Sequence, residues 1–165
     1  MTVVEVRVAG VALDGAGQHV ILLTPMDDAQ GDGRVLPIWI GAQEATSILI
    51  AVEGAQAPRP LAHDLMRAML AETDTVVDRV EVTRIEDGTF YAEITLLTPG
   101  GPRIVDARPS DAVALASRTG ASVFVADDVL AEAGVPGTIV EGGEEQQVEE
   151  FQRFLDDVDP DDFRG

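Results

Sequence analysis

The sequence predicts an α+β fold in which mixed and antiparallel β-sheet carries packed helices. Three observations lead there. Valine-rich runs alternate with period two, as half-buried strands do. Longer stretches with a helical apolar period follow groups of three such runs, rather than alternating with them one for one. The order strand, strand, strand, helix then occurs twice, over residues 2–54 and 76–120. The equal spans 38–54 and 104–120 suggest an internal duplication of a β-β-β-α unit.

Residues 2–13 (TVVEVRVAGVAL) form the first predicted strand, and 19–24 (HVILLT) return from the turn at 14–17. Residues 27–33 (DDAQGDG) read as a solvated loop. They lack the closing bidentate Glu of a calcium loop, since Trp39 stands twelfth from Asp28. Residues 34–40 (RVLPIWI) make a third strand, with Pro37 placing it at an edge or bulge. Gly41 opens a helix to about Glu53, burying Ala45, Ile48, Leu49 and Val52, with Glu44 in its first turn. A second helix is expected from Pro60 to about Glu72. Its apolar face is Leu61, Leu65, Met69 and Met66, with His63 and Asp64 mostly off that face.

Residues 76–86 and 89–98 pair as a hairpin across Asp87-Gly88. Residues 102–107 form a strand that feeds directly into a helix. Pro109 suits its first position, Ser110 and Asp111 fill its first turn, and Gly120 stops it. A short strand (122–125) and a brief helix capped by Asp127 follow. Residues 144–158 carry a stripe of Val148, Phe151, Leu155 and Val158, expected to dock on the body or on a second subunit as a homo-oligomer, in the simplest case a dimer. The chain thus divides into a domain at 1–140 and an acidic helix and tail at 141–165.

The composition excludes several chemistries. With no Cys in 165 residues there is no disulfide framework, thiolate nucleophile or zinc–cysteine site. Met1 leads into a strand pattern without a basic leader, and no apolar run reaches membrane-spanning length, so a cytoplasmic protein without a membrane partner is expected. The net charge is −19, from 30 acidic and 11 basic residues. Such a charge opposes nonspecific binding to nucleic acid, although carboxylates that hold a divalent ion reverse the local sign.

Candidate chemistry gathers near the helix starts. Glu44, Asp64, Asp106 and Asp111 are carboxylates able to hold Mg²⁺ or Mn²⁺ as a phosphodiester clamp. Acids in a first turn also simply complement the helix dipole. Arg108 is suited to a phosphate oxygen beside a helix N-terminus, or to pairing with Asp106 or Asp111. Ser110 is suited to the same anion, or to capping. His63 offers a general base or a metal ligand, or an ordinary surface imidazole.

The segments LPIWIGAQEATSI (36–48), RPLAHDLM (59–66), DARPSDAVALASR (106–118), FVADDVLAEAG (124–134) and FQRFLDDVDPDDF (151–163) together resemble, in order, the bifunctional nuclease domain family. The resemblance implies an α+β fold with a duplicated motif and hydrolysis of both DNA and RNA. The family's polar motif positions fall on Glu44, His63, Asp64, Asp106, Arg108, Ser110 and Asp111. These are matched positions rather than transferred roles; the residues' own chemistry makes Glu44, His63, Asp64 and Asp111 the catalytic candidates, Arg108 and Ser110 the substrate contacts, and Glu44, Asp106 and Asp111 the metal ligands. The alternative is a binding or regulatory module without catalysis.

Overall fold

A computed structural model describes residues 2–137. The helix expected at 144–158, the dimer contact assigned to it and the 141–165 tail lie outside the described residues. Eight strands form one mixed sheet: β1 (Val3–Leu13), β2 (His19–Pro25), β3 (Arg34–Ile40), β4 (Val76–Glu86), β5 (Thr89–Thr98), β6 (Gly101–Ala107), β7 (Ser122–Ala126) and β8 (Val135–Pro136). Their order across the sheet is β6-β5-β4-β7-β1-β2-β3-β8. Two antiparallel meanders, β1-β2-β3 and β4-β5-β6, therefore flank β7, which runs parallel to β4 and antiparallel to β1. The helices are α1 (Ala42–Val52), α2 (Ala62–Glu72), α3 (Pro109–Thr119) and α4 (Asp127–Ala133).

The order strand, strand, strand, helix is present in both halves, as β1-β2-β3-α1 and β4-β5-β6-α3. This is a repetition of order, and a duplication of the unit is not demonstrated by it.

Local chemistry accounts for the boundaries. Asp87 and Gly88 both take positive φ (50° and 77°), the type I′ geometry that matches the twist of β4 and β5. Pro37 pairs with Leu22 on one side, while β8 reaches only Arg34 and Val35 on the other, so the proline stands where no ladder donor is required. Helix α3 begins with Arg108 as N-cap and Pro109 in its first turn. It ends at Gly120 in the left-handed conformation (φ 76°), which a residue with a Cβ adopts only at a cost. Asp127 is the first residue of α4 and Ala126 its N-cap, so Asp127 assists through charge at the helix start instead of capping.

Helices α1 and α3 cover the sheet. Ala45 and Ile48 of α1 and Ala112, Val113 and Ala116 of α3 pack with Val6, Ile21, Leu23, Leu36, Val80, Val82 and Val125 in the main core. Strand β2 is buried on both faces, because Val20 and Leu22 join Val35 in a smaller cluster on the far side.

Helix α2 departs from its sequence reading. Leu65, Met66 and Met69 are 53 %, 41 % and 61 % exposed, and the helix buries His63 instead. The apolar stripe does not face the core because the opposite side of α2 carries polar groups that have partners on α1 and α3.

Candidate functional site

Three helices deliver the site. On α1, the N-cap is Gly41, and the Glu44 side chain folds back over it; a Cβ at position 41 would collide with Glu44 Oε2. Glu44 is thereby held at the helix start, and Ser47 lies three residues on, along the same face. On α2, Asp64 Oδ2 accepts the Leu61 N–H at 2.9 Å, closing the open end of the helix and fixing His63 beside it. On α3, the N-cap conformation of Arg108 and the ring of Pro109 set the direction in which Arg108 and Asp111 leave the backbone.

The side chains form one continuous chain of hydrogen bonds. Arg108 Nε donates to Asp111 Oδ2 at 2.8 Å, and Arg108 Nη2 donates to Asp111 Oδ1 and to Glu44 Oε1, both at 3.2 Å. Asp111 Oδ1 also lies 2.9 Å from His63 Nε2, and His63 Nδ1 lies 2.7 Å from Ser47 Oγ. Arg118 Nη2 donates to Ser47 Oγ at 3.1 Å, Nη1 to the Ala114 carbonyl at 2.9 Å, and Nε to Asp64 Oδ1 at 2.8 Å. Arg118 is always a donor, so Ser47 Oγ accepts from it and can direct its own hydrogen to His63 Nδ1. The proton on Nε2 then points at Asp111.

Burial divides this chain into two ends. Arg118 and His63 have side chains only 4 % and 8 % exposed, whereas the Arg108 side chain is 65 % exposed. Burial pushes the Asp111 carboxyl upward, but hydrogen bonds from Arg108 and His63, with the Arg108 charge, outweigh it and hold the group below the usual carboxylate range. The bond and charge of Asp111, with those of Glu44, raise Arg108 in turn. Glu44, Ser47, His63, Arg108 and Asp111 wall a cleft of about 460 Å³ between α1, α2 and the start of α3, with Met66 at its side.

The structure thus brings together Glu44, His63, Arg108 and Asp111. His63 is no surface imidazole: it is the one buried residue of α2. Asp64 holds the far end through Arg118 and lines a different depression, toward the end of α1. Asp106 is exposed on β6 opposite Glu93, and among the described residues no hydrogen bond or ion pair joins it to the others; Arg108 pairs with Asp111 and Glu44 instead. Ser110 makes no side-chain cap, since Arg108 is the N-cap, and it is buried beside a second cleft. Sequence reasoning missed Ser47 and Arg118. Their signal was spacing, three residues after Glu44 and seven after Asp111, which places each on the same face of its helix.

Among the described residues, no group of three or more His, Asp or Glu side chains is arranged to hold a metal ion. Two carboxylates, Glu44 and Asp111, nevertheless reach one cation, the Arg108 guanidinium.

The family described as "Bifunctional nuclease domain" matches residues 25–138, a span that holds every member of the cluster. The chain belongs to the bifunctional nuclease domain family. This nuclease-domain chain is also 40 % identical over 167 residues to proteins from two strains of Mycobacterium tuberculosis. They are named "Uncharacterized protein MT1877" (strain CDC 1551 / Oshkosh) and "Uncharacterized protein Rv1829" (strain ATCC 25618 / H37Rv). The match covers 98 % of this chain and 98 % of each relative. No described helix of the nuclease-domain chain is long and apolar enough to cross a membrane.

Proposed function

We propose that this chain hydrolyses phosphodiester bonds of DNA and RNA in the cleft between α1, α2 and α3. One observation carries the reading: in a nuclease-domain chain, a solvent-facing guanidinium, two carboxylates and a carboxylate-bound imidazole converge from three helices on one cleft.

Arg108 has the planar fork that matches a phosphate, and it lies at the exposed end of the network. It binds and orients the scissile group, exchanging its carboxylate partners for phosphate oxygens. His63 is held from both sides, by Ser47 at Nδ1 and Asp111 at Nε2, and it is the group placed to move a proton to or from the reacting oxygens. Ser47, Arg118 and Asp64 act behind it as positioning residues. Glu44 and Asp111 would hold Mg²⁺ or Mn²⁺. Two carboxylates suit an ion that keeps most of its water and takes phosphate oxygens as further ligands. Such an ion supplies charge to the phosphate and acidity to a bound water.

A second reading has its own observation. The net charge is −19, and the Asp64–Arg118–Ser47–His63–Asp111 chain is bonded from end to end, as a structural clasp in a non-catalytic binding or regulatory module would be.

Cleavage of single-stranded DNA and RNA by the purified protein, with Mg²⁺, Mn²⁺ or EDTA, decides between them. Asp111→Asn and His63→Ala should each lower the rate about 100-fold or more, and EDTA should abolish it. A wild type inactive under every condition supports the clasp. Wild-type rates in both variants would show that the activity comes from elsewhere.

A further inference from the structure

The depression that Asp64 lines at the end of α1 has a volume of about 410 Å³. It gathers three of the chain's 11 basic residues, Arg59, Arg67 and Arg118, against one carboxylate, Asp64. Arg118 and Asp64 neutralise each other, bonded at 2.8 Å. Arg59 and Arg67 are exposed and make no side-chain hydrogen bond or ion pair among the described residues. The depression therefore carries two uncompensated positive charges in a chain whose net charge is −19.

Both arginines are placed by the chain around them. Arg59 stands between Pro58 and Pro60, whose rings fix their own φ and confine the residue before each to extended backbone. Arg67 lies three residues after Asp64 and four after His63, on the side of α2 that turns toward α1 and α3. The end of α1 does not oppose an anion there. Its last carbonyls, on Leu49, Ile50 and Ala51, accept the N–H groups of Glu53, Ala55 and Gly54 respectively, so its negative end is taken up by its own backbone.

The depression adjoins the cleft walled by His63 and Asp111. Arg118 lines the one and donates to Ser47 of the other at 3.1 Å. From Glu44 in that cleft to Ala51 in the depression is about 10 Å along the axis of α1. A stacked strand carries a phosphate roughly every 3.4 Å, so the interval spans about three nucleotides.

We infer that this depression is a second phosphate site, in which Arg59 and Arg67 hold the backbone of a nucleic acid strand about three nucleotides from the phosphate at Arg108. Each planar guanidinium can offer two N–H groups to one phosphate, so two arginines suffice for a local site on an acidic chain. The inference rests on the catalytic reading for which phosphate is cut, but not for binding at Arg59 and Arg67. It also assigns the substrate class: strands of about four nucleotides or more reach both sites, whereas a mononucleotide or dinucleotide reaches one.

Fluorescence polarisation of labelled oligothymidylate with the full chain, in EDTA and over a range of salt, measures binding without cleavage. A strand of about twelve nucleotides is compared with a dinucleotide. The double variant Arg59→Ala, Arg67→Ala should bind the long strand about tenfold more weakly. Its slope of log affinity against log salt should be shallower by about 1.4, or about 0.7 for each lost contact. The preference for the long strand over the dinucleotide should shrink with it. Arg7→Ala should bind like the wild type, because Arg7 alternates with the core residue Val6 and so lies on the other face of the sheet. No binding of the long strand by the wild type at low salt would overturn the inference. So would wild-type affinity in the double variant, even with a lowered thermal midpoint, since the arginines would then serve only the end of α1. A dinucleotide bound as tightly as the long strand would overturn it in favour of a small phosphorylated ligand. Cleavage of single-stranded DNA is scored separately. Binding that depends on Arg59 and Arg67 without cleavage keeps this site and removes the catalytic reading. Cleavage of long strands at wild-type KM by the double variant removes this site and keeps the catalytic reading.

Discussion

Arg118→Ala tests whether the buried end of the polar chain holds the three helices together. The Arg118 side chain is 4 % exposed and serves α1 through Ser47, α2 through Asp64 and its own helix through the Ala114 carbonyl. Removing one partner of a buried ion pair costs about 3–5 kcal/mol when the other charge stays buried. Here Asp64 is 36 % exposed and keeps the Leu61 N–H, so water offsets part of the loss. The expected destabilisation is therefore about 2–3 kcal/mol, a large share of the roughly 5–15 kcal/mol that a domain has in total. Urea unfolding at pH 7 measures it. Asp64→Asn and the double variant complete a cycle in which the second substitution costs much less than it does alone. A loss under about 0.5 kcal/mol, the range of an indifferent surface change, would refute the clasp.

The pH dependence supplies an internal control. Burial raises the Asp64 carboxyl, but the Leu61 N–H and Arg118 more than reverse this, leaving it below the ordinary value. A depressed carboxyl stabilises fully above the unfolded value of about 4, and that stability is lost as the pH falls through the lower folded value. Arg118→Ala should flatten this acid limb along with lowering the plateau.

Two further substitutions check the fold. Met69→Glu on the outer face of α2 should change stability by less than about 0.5 kcal/mol in the same unfolding assay, because Met69 is 61 % exposed; a cost of several kcal/mol would mean that the face is covered. Gly120→Ala should cost about 1–2 kcal/mol by thermal unfolding, because the C-cap φ of 76° is strained for any residue with a Cβ; an unchanged midpoint would contradict that conformation.

Where a boundary depends on local chemistry, it was legible in the chain. Asp87-Gly88 marks the hairpin, and Pro109 and Gly120 bracket α3 as expected. Burial on α2 was not legible. Leu65, Met66 and Met69 have the spacing of a core face, but the orientation of the helix is decided by Ser47, Asp111 and Arg118, which lie on other helices. The polar cluster follows the same rule. Glu44, His63, Arg108 and Asp111 could be named from their residue types near the helix starts, while their partners Ser47 and Arg118 had only helical spacing to mark them and are picked out by tertiary contact. Asp106 precedes Arg108 by two residues, yet strand pairing sets it opposite Glu93, and nearness in sequence did not make it a partner.

The position of β7 has a consequence for how the chain is made. It lies between β1 and β4, and the backbone of Thr2 accepts a hydrogen bond from Asp127 just beyond it. During synthesis the first meander is complete by Ile40, yet the outer edge of β1, with Val4 and Val6, has no strand to pair with until Ala126 has left the ribosome. Through most of translation that edge is open to any extended segment nearby. Nascent chains halted before residue 122 should therefore be the ones most dependent on chaperones, and release of β7 should seal both meanders in a single late event.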